Sequence, residues 1–298
     1  MRWFFRLGAA RRAHALALPG VLLALVAALL PLSSLASAVT PLDSASVSSD
    51  VTVVLSATNF DDESVAVDNL MGGVGTATLG TLPASADLVA YHLLGNGDQL
   101  FSLDTTVTLS GPLTAEPGDV VRYDGSSYTL EFDASANSVP SGVITDAVSR
   151  ESSGNLLLSF DTTVDLGSFT VDDEDLVAFD GVGFSLVFDG SAAGVSQALD
   201  LDGVDDLGNG NLGLSFDGSG QLGGVDFDDE DVLEYDSSGP TWLLAYDGSA
   251  EHAEWVPADL DAVFVPEPST QLTIAVGAAF LALIGRDRIR RNSCNRKG

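Results

Sequence analysis

The feature that most constrains this chain is an internal repeat of about 56 residues. Three short phrases, each rich in apolar residues and ending in aspartate, recur in the same order. Successive copies of the first phrase end 57 and 56 residues apart. The spacings are 56 and 56 for the second phrase, and 56 and 58 for the third. The terminal aspartates are Asp104, Asp161 and Asp217, then Asp124, Asp180 and Asp236, then Asp133, Asp189 and Asp247. A chain with this period builds several copies of one small unit.

A fourth phrase opens each unit and returns alone near the end of the repeated region. It places full units at about 87–142, 143–198 and 199–258, with an incomplete unit at 51–86. The lone copy lies at 259–264. Because the incomplete unit has no opening phrase, we predict that 259–264 supplies its missing strand. Residues 39–50 are interpreted as a linker, so the acidic β-repeat domain spans 51–264.

Each phrase has the pattern of a β-strand. Phe184, Leu186 and Phe188 alternate with other residues and so share one face. Asp-Gly at 180–181 and Gly-Asn-Gly at 208–210 stand between phrases and favour turns. We therefore predict an all-β fold of about four copies of a four-stranded unit, arranged like a β-propeller. The alternative is an open array of small β-sheets or sandwiches.

Charge is divided sharply along the chain. The formal net charge is −31, from 12 basic and 43 acidic residues. Between 39 and 266 there are 41 acidic residues and only two basic ones, Arg122 and Arg150, so this region carries −39. A body this acidic is not suited to bind nucleic acid or an anionic bilayer, both of which require clustered Lys and Arg. Its 45% hydrophobic residues are enough for a folded core.

The N-terminus has the three parts of a secretory signal peptide, predicted over 1–38. Four arginines lie within the first twelve residues, and an apolar run follows. Ala36 and Ala38 then form the small-x-small pattern that signal peptidase recognises, which predicts cleavage after Ala38. An uncleaved membrane helix is the alternative.

The C-terminus, 265–298, also has three parts. Pro266, Glu267 and Pro268 precede an apolar stretch at 272–285, and a cluster of arginines follows. The apolar stretch is predicted to be a short transmembrane segment with its basic side in the cytoplasm. The alternative is an ordinary tail anchor with a chance Pro-Glu-Pro.

This order of parts resembles the PEP-CTERM sorting signal of Gram-negative bacteria. Many tails of that family have an aromatic residue shortly after Pro-Glu-Pro, where this chain has Gln271. The resemblance implies recognition by an exosortase-type processing enzyme. It also implies an inner-membrane intermediate, and then a place at the cell surface or in the extracellular exopolysaccharide matrix.

The densest acidic clusters recur with the repeat. They are Asp172, Asp173, Glu174 and Asp175, and the copy Asp228, Asp229, Glu230 and Asp231. Adjacent carboxylates repel one another, and bound Ca²⁺ would relieve that repulsion because it takes six to eight oxygen ligands. We therefore treat these loops as candidate calcium sites, with a solvated acidic turn as the alternative.

Other candidate sites are weaker. Trp255 has no counterpart in the other units and is a candidate carbohydrate-stacking surface, with packing in the core as the alternative. His92 and His252 do not recur, and no metal or nucleophile motif surrounds them. The sequence favours an exported, non-enzymatic surface or matrix protein with a structural or adhesive role. A carbohydrate-binding module for exopolysaccharide and an extracellular polysaccharide hydrolase are the alternatives.

Overall fold

Each repeat unit forms one four-stranded antiparallel sheet, here called a blade, in the computed structural model, which describes residues 44–265. The predicted signal peptide at 1–38 and the sorting motif and apolar segment beyond Val265 lie outside the described residues. Within 44–265, no helix has the length and apolar character needed to span a membrane.

Along the chain, blades 2, 3 and 4 share one order of strands: two long strands, a short hairpin and two more long strands. The segment that forms blade 1 has only one long strand before its hairpin. Blade 1 contains β1 (Ala45–Ser48), the hairpin β2 (Val53–Leu55) and β3 (Thr58–Phe60), then β4 (Val65–Asp68) and β5 (Val74–Ala77). Blade 2 contains β6 (Leu88–Leu93), β7 (Gln99–Leu103), the hairpin β8 (Val107–Leu109) and β9 (Leu113–Ala115), β10 (Val120–Tyr123) and β11 (Tyr128–Phe132).

Blades 3 and 4 repeat this plan. Blade 3 contains β12 (Ala147–Arg150), β13 (Leu156–Ser159), the hairpin β14 (Val164–Asp165) and β15 (Thr170–Val171), β16 (Leu176–Phe179) and β17 (Phe184–Phe188). Blade 4 contains β18 (Gly203–Gly208), β19 (Asn211–Ser215), the hairpin β20 (Gly220–Leu222) and β21 (Val225–Phe227), β22 (Val232–Asp236) and β23 (Thr241–Tyr246). The last strand is β24 (Ala262–Phe264). One 3-10 turn (Ser135–Asn137) and two four-residue helices, α1 (Gly190–Ala193) and α2 (Gly248–Glu251), follow the last strands of blades 2, 3 and 4.

The ring is closed by the two ends of the described chain. Strand β24 pairs antiparallel with β1, with Val47 opposite Val263, and the order in blade 1 is β24-β1-β4-β5. Strand β24 thus takes the first position that β6, β12 and β18 take in their own blades. The four first strands also contact one another in a cycle, β6 with β12, β12 with β18, β18 with β24 and β24 with β6. The prediction of an all-β, propeller-like fold closed by 259–264 is confirmed.

Two features of the structure differ from the predictions made from the sequence. Strand β1 lies inside 39–50, which was interpreted as a linker, so that interpretation is wrong for these residues. Val-Ser-Ser-Asp at 47–50 is a further copy of the phrase that ends in Asp104, Asp161 and Asp217, with Ser49 in place of the apolar residue of those copies. The short hairpin in each blade was also not predicted, since strands of two or three residues show too little alternation.

The apolar core lies between blades. Four clusters of buried side chains fill the four contacts between neighbouring blades, and each draws on both blades. Adjacent residues of a central strand contribute to opposite clusters: Phe101 packs between blades 1 and 2, whereas Leu100 packs between blades 2 and 3. Both faces of these strands are therefore buried, which explains their continuous apolar character.

Candidate functional site

The register of the first strands places equivalent residues around the ring axis. Ala90, Ala147, Gly203 and Ala262 each pair with a serine of the second strand. The residues one position earlier are Val89, Asp146, Asp202 and Asp261, and those two positions later are His92, Ser149, Asp205 and Phe264. The end of the ring where the first strands begin, and where the short hairpins lie, is called here the acidic end. The opposite end, where turns join the first strands to the second, is called the turn end.

Aspartates organise the backbone at the acidic end. In each blade, the carboxylate of the aspartate just after the second strand accepts a hydrogen bond. The donor is the backbone N–H at the start of the first strand of the same blade. The distances lie between 2.8 and 2.9 Å for the pairs Asp50–Asp259, Asp104–Asp87, Asp161–Ile144 and Asp217–Asp200. These four carboxylates hold the ends of the second strands against the starts of the first strands. They also concentrate negative charge at this end.

Two of the three axial aspartates, Asp146 and Asp202, have no such partners. Asp146 and Asp202 are each only 7% exposed, and neither oxygen of either side chain accepts a hydrogen bond. Asp87, Asp200 and Asp259, which stand at or near the same strand starts, each keep one buried oxygen without a partner. A buried carboxylate normally receives hydrogen bonds or a cation, so this group of side chains requires an explanation.

Burial and mutual repulsion raise the pKa values of these groups. Burial is the largest cause of the raised pKa of Asp261, to about 8, and the charges of Asp87 and Asp259 add to it. The pKa values of Asp87, Asp200 and Asp259 rise to about 7 for the same reasons. The pKa values of Asp146 and Asp202 are raised well above the ordinary value, mainly by burial. At this end of the axis, protonation and ionisation therefore compete near neutral pH.

The two predicted calcium loops lie at the same end, before the third strands of blades 3 and 4. Asp175 uses both oxygens to accept backbone hydrogen bonds, from Gly190 N at 2.9 Å and Asp172 N at 3.1 Å. Asp231 does the same with Gly248 N at 3.1 Å and Asp228 N at 3.0 Å. The last residue of each loop therefore joins the loop to the chain that leaves the fourth strand.

Glu174 and Glu230 pack against the two glycines whose N–H groups donate those bonds. Glu174 is only 1% exposed, and burial, as the largest cause, raises its pKa to about 7. A Cβ on Gly190 would lie 2.3 Å from the backbone oxygen of Glu174, and one on Gly248 would lie 2.3 Å from that of Glu230. Much of each loop is therefore occupied by contacts within the protein.

The calcium loops stay a prediction. In each cluster the glutamate is buried, and the last aspartate binds backbone N–H groups through both oxygens. The remaining members, which are neither fully buried nor bound in that way, are Asp172, Asp173, Asp228 and Asp229. Across residues 44–265, no three His, Cys, Asp or Glu side chains already converge in a way that would hold a metal ion. Calcium at the loops would therefore need further ligands from water or from a partner molecule.

Toward the turn end, the first strands carry a polar group whose members bond to one another. Ser149 Oγ donates to Asp205 Oδ1 at 2.9 Å and lies 3.2 Å from His92 Nδ1. Val265 N donates to the other oxygen of Asp205 at 2.9 Å, and the Phe264 ring packs edge-on against His92 with centroids 5.1 Å apart. Serine and aspartate approach the same ring nitrogen, whereas a hydrolytic relay uses the two different nitrogens of the imidazole. This arrangement ties the last strand of the ring to its neighbours.

The side chain of Trp255 is not exposed on the surface of the protein. The side chain has no exposed area and packs with Tyr246, Leu260 and Val263 between blades 4 and 1. The interpretation of Trp255 as an exposed carbohydrate-stacking residue is therefore wrong, because stacking a sugar ring requires an accessible face. The other histidine, His252, contacts the buried Asp68 at 3.0 Å in the same region.

Sequence reasoning missed the axial aspartates as a group. The signal was present, since Asp-x-Asp opens two of the repeated phrases, at 200–202 and 259–261. Their common position on the axis follows only from closure, which brings the starts of all four first strands together.

Sheet order and closure define a four-bladed β-propeller, and the comparisons with known proteins add little to that. No family model and no curated protein matches the chain. Among solved structures, a Bacteroides caccae protein of unknown function is 11% identical, with a TM-score of 0.37, over 76% of this chain and 100% of its own.

Two further structures are similar at the same low level. An inactive virginiamycin B lyase from Staphylococcus aureus, solved with quinupristin, is 9% identical with a TM-score of 0.32 over 69% of this chain and 71% of that one. The extracellular domain of a putative hybrid two-component system from B. thetaiotaomicron is 11% identical with a TM-score of 0.31, over 66% of this chain. The match spans 22% of the length of that extracellular domain. These similarities are too low to carry an argument about function.

Proposed function

We propose that this chain is an exported, non-enzymatic propeller protein of the cell surface or extracellular matrix, with a structural or adhesive role. Its export would begin with the signal peptide at 1–38. An exosortase-type enzyme would then act on the tail that begins at Pro266.

The observation that carries this proposal is where the ring ends. Strand β24 ends at Phe264, two residues before Pro266, and it is paired with β1. Every strand of the propeller is therefore in place before the tail begins. Removal of 266–298 would cost the ring no strand, as a processing signal requires.

The charge of the propeller supports a role in a hydrated matrix. The only two Lys or Arg side chains in residues 44–265 are already in ion pairs: Arg122 with Asp98 and Glu131, and Arg150 with Glu131. The many exposed carboxylates around the ring are left for water and dissolved cations. Such a surface keeps a protein soluble at high local concentration and can contact anionic polysaccharide through shared divalent cations.

Intact-mass measurement tests the sorting proposal directly. The chain is expressed in a Gram-negative host that has an exosortase-type enzyme, and the exported protein is weighed. We expect a mass that lacks 1–38 and the basic segment 286–298, because both ends serve only targeting. An exported protein that still contains 286–298 would contradict the proposal.

A matched pair of variants isolates the motif. Glu267→Ala in the Pro-Glu-Pro sequence should leave the protein with its tail and in the membrane fraction. Glu254→Ala, which removes the same charge from an exposed loop of the propeller, should be processed like the wild type. Equal processing of both variants would also count against recognition of the motif.

A further inference from the structure

We propose that the acidic end of the ring axis binds a divalent cation of the oxygen-preferring class, represented by Ca²⁺, held jointly by Asp146, Asp202 and Asp261. This site is separate from the two acidic loops and independent of how the tail is processed.

The first support is that buried carboxylate oxygens lack partners. Asp146 and Asp202 are more than nine-tenths buried, and all four of their oxygens lack a hydrogen bond. The Ser215 hydroxyl lies close enough to Asp202 to lower its pKa, but the hydrogen bond of ordinary geometry that it makes is to the carbonyl of Leu260, at 3.4 Å. Burying a carboxylate without hydrogen bonds or a counter-charge is costly, so native proteins pair such groups or bind cations with them.

The second support is the position of the three aspartates. Each stands one residue before the aligned Ala147, Gly203 and Ala262 in the innermost strands of three consecutive blades. The innermost strands of these blades are neighbours in the cycle around the axis. The mutual repulsion between Asp202 and both Asp146 and Asp261 is consistent with three side chains that share one region. The equivalent residue of blade 2 is Val89, so the group has three acidic members.

The third support is the absence of a protein cation near this group in residues 44–265. The charges that act on the three aspartates all belong to other aspartates, and both arginines pair with carboxylates elsewhere. The surrounding aspartates are Asp50, Asp87, Asp104, Asp161, Asp200 and Asp259. Negative charge of this density in a partly enclosed space concentrates cations from solution.

One divalent ion shared by the three carboxylates would need water in its coordination sphere. The carboxylates do not yet converge on one point, as expected for like charges without an ion between them. Ca²⁺ accepts six to eight oxygen ligands in flexible arrangements and commonly includes water among them. One ion could therefore be shared by three carboxylates through direct and water-mediated contacts.

The test uses the full chain, stripped of metal with a chelator and studied at pH 8, where these carboxylates ionise most readily. Ca²⁺ is added, and bound metal is counted after equilibrium dialysis while Tm is followed by circular dichroism. The axial variant is Asp146→Asn with Asp202→Asn. The charge-matched control is Asp165→Asn with Asp226→Asn, which changes two exposed carboxylates on the outer hairpins.

We expect Ca²⁺ at about 100 times its Kd to raise the Tm of the wild type and the control by about 5–10 °C. The axial variant should bind one ion fewer and lose most of that rise. It should also melt no lower than the wild type without metal, because asparagine removes the repulsion and preserves the shape. Asp261→Asn alone should weaken Ca²⁺ binding, which provides a second test if the double variant fails to fold.

Two results would overturn the proposal. The first is an equal Ca²⁺ response in the axial variant and the wild type, which would place any bound ion elsewhere, including at the loops. The second is no bound ion at pH 8, with a Tm that responds only to acid. In that case protons alone would neutralise the axial group.

Discussion

At the scale of single residues, close packing at the acidic loops depends on which side chains are missing. Gly190 and Gly248 leave room for Glu174 and Glu230, respectively, in blades 3 and 4. Blade 2 reverses the arrangement, because Gly118 stands at the glutamate position and its own Cβ would lie 2.8 Å from that of Ala134. In each of these three blades, one position precedes the third strand and the other follows the fourth strand, and only one of the two carries a side chain.

Gly190→Ala should therefore be destabilising. The new methyl group would meet a backbone oxygen at 2.3 Å, which cannot rotate away. We expect the free energy of unfolding to fall by about 1–3 kcal/mol, as measured by urea denaturation. Gly183→Ala in the same blade has open space around its Cβ and is the control. Equal stability of the two variants would show that the loop adapts without cost.

At the scale of elements, one aspartate per blade joins the third strand to the end of the fourth in blades 2, 3 and 4. Asp119 bonds Glu116 N and Ala134 N at 3.0 and 2.9 Å, as Asp175 and Asp231 bond their equivalents. Blade 1 has Ser64 at this position. The strands are thus held by side chain to backbone bonds as well as by their ladders.

Asp175→Ala should weaken blade 3 strongly. Two backbone N–H groups would lose their acceptor, one of them buried, and a buried donor without a partner costs about 1–3 kcal/mol. We expect the free energy of unfolding to fall by about 2–4 kcal/mol, whereas Asp173→Ala, which removes the same charge from the same loop, should cost little. Hydrogen exchange at Gly190 N would locate the effect. Protection there that is unchanged in Asp175→Ala would contradict this role.

At the scale of the whole molecule, closure collects acidic side chains at one end of the axis. Raised carboxyl pKa values mean that the folded protein binds more protons than the unfolded chain between about pH 4 and pH 8. Stability contributed by these groups therefore falls as pH rises through that range. Asp124, Asp180 and Asp236, whose pKa values are lowered by hydrogen bonds from nearby side chains and backbone, act in the opposite sense only in stronger acid.

In the presence of a chelator, we therefore expect Tm to be higher at pH 5 than at pH 8. The groups responsible surround the axis: Asp87, Asp146, Asp200, Asp202, Asp259 and Asp261, with raised pKa values. The axial variant Asp146→Asn with Asp202→Asn should show a smaller difference between the two pH values. A Tm that rises steadily from pH 5 to pH 8 would refute the assignment.

Much of the fold is readable from the sequence because it is local and repeated. Four copies of a strand pattern, turn residues between them and a lone last phrase predict blades and a closing strand. The aspartates that follow the fourth strands of blades 3 and 4 are another local feature, because Asp189 and Asp247 cap α1 and α2 by accepting hydrogen bonds from Ala192 N and Ala250 N, respectively. These features depend on neighbours within a few residues, so the sequence displays them directly.

The candidate site depended on contacts between distant residues. Trp255 could be an exposed or a buried aromatic side chain until the packing of blades 4 and 1 enclosed it. Asp146, Asp202 and Asp261 are at least 56 residues apart along the chain, and only the closed ring brings them together. The sequence by itself determined the repeat, the strand content and the excess of acid. Tertiary structure decided which acids are paired and which are left without a partner, because burial and charge repulsion depend on neighbours in space.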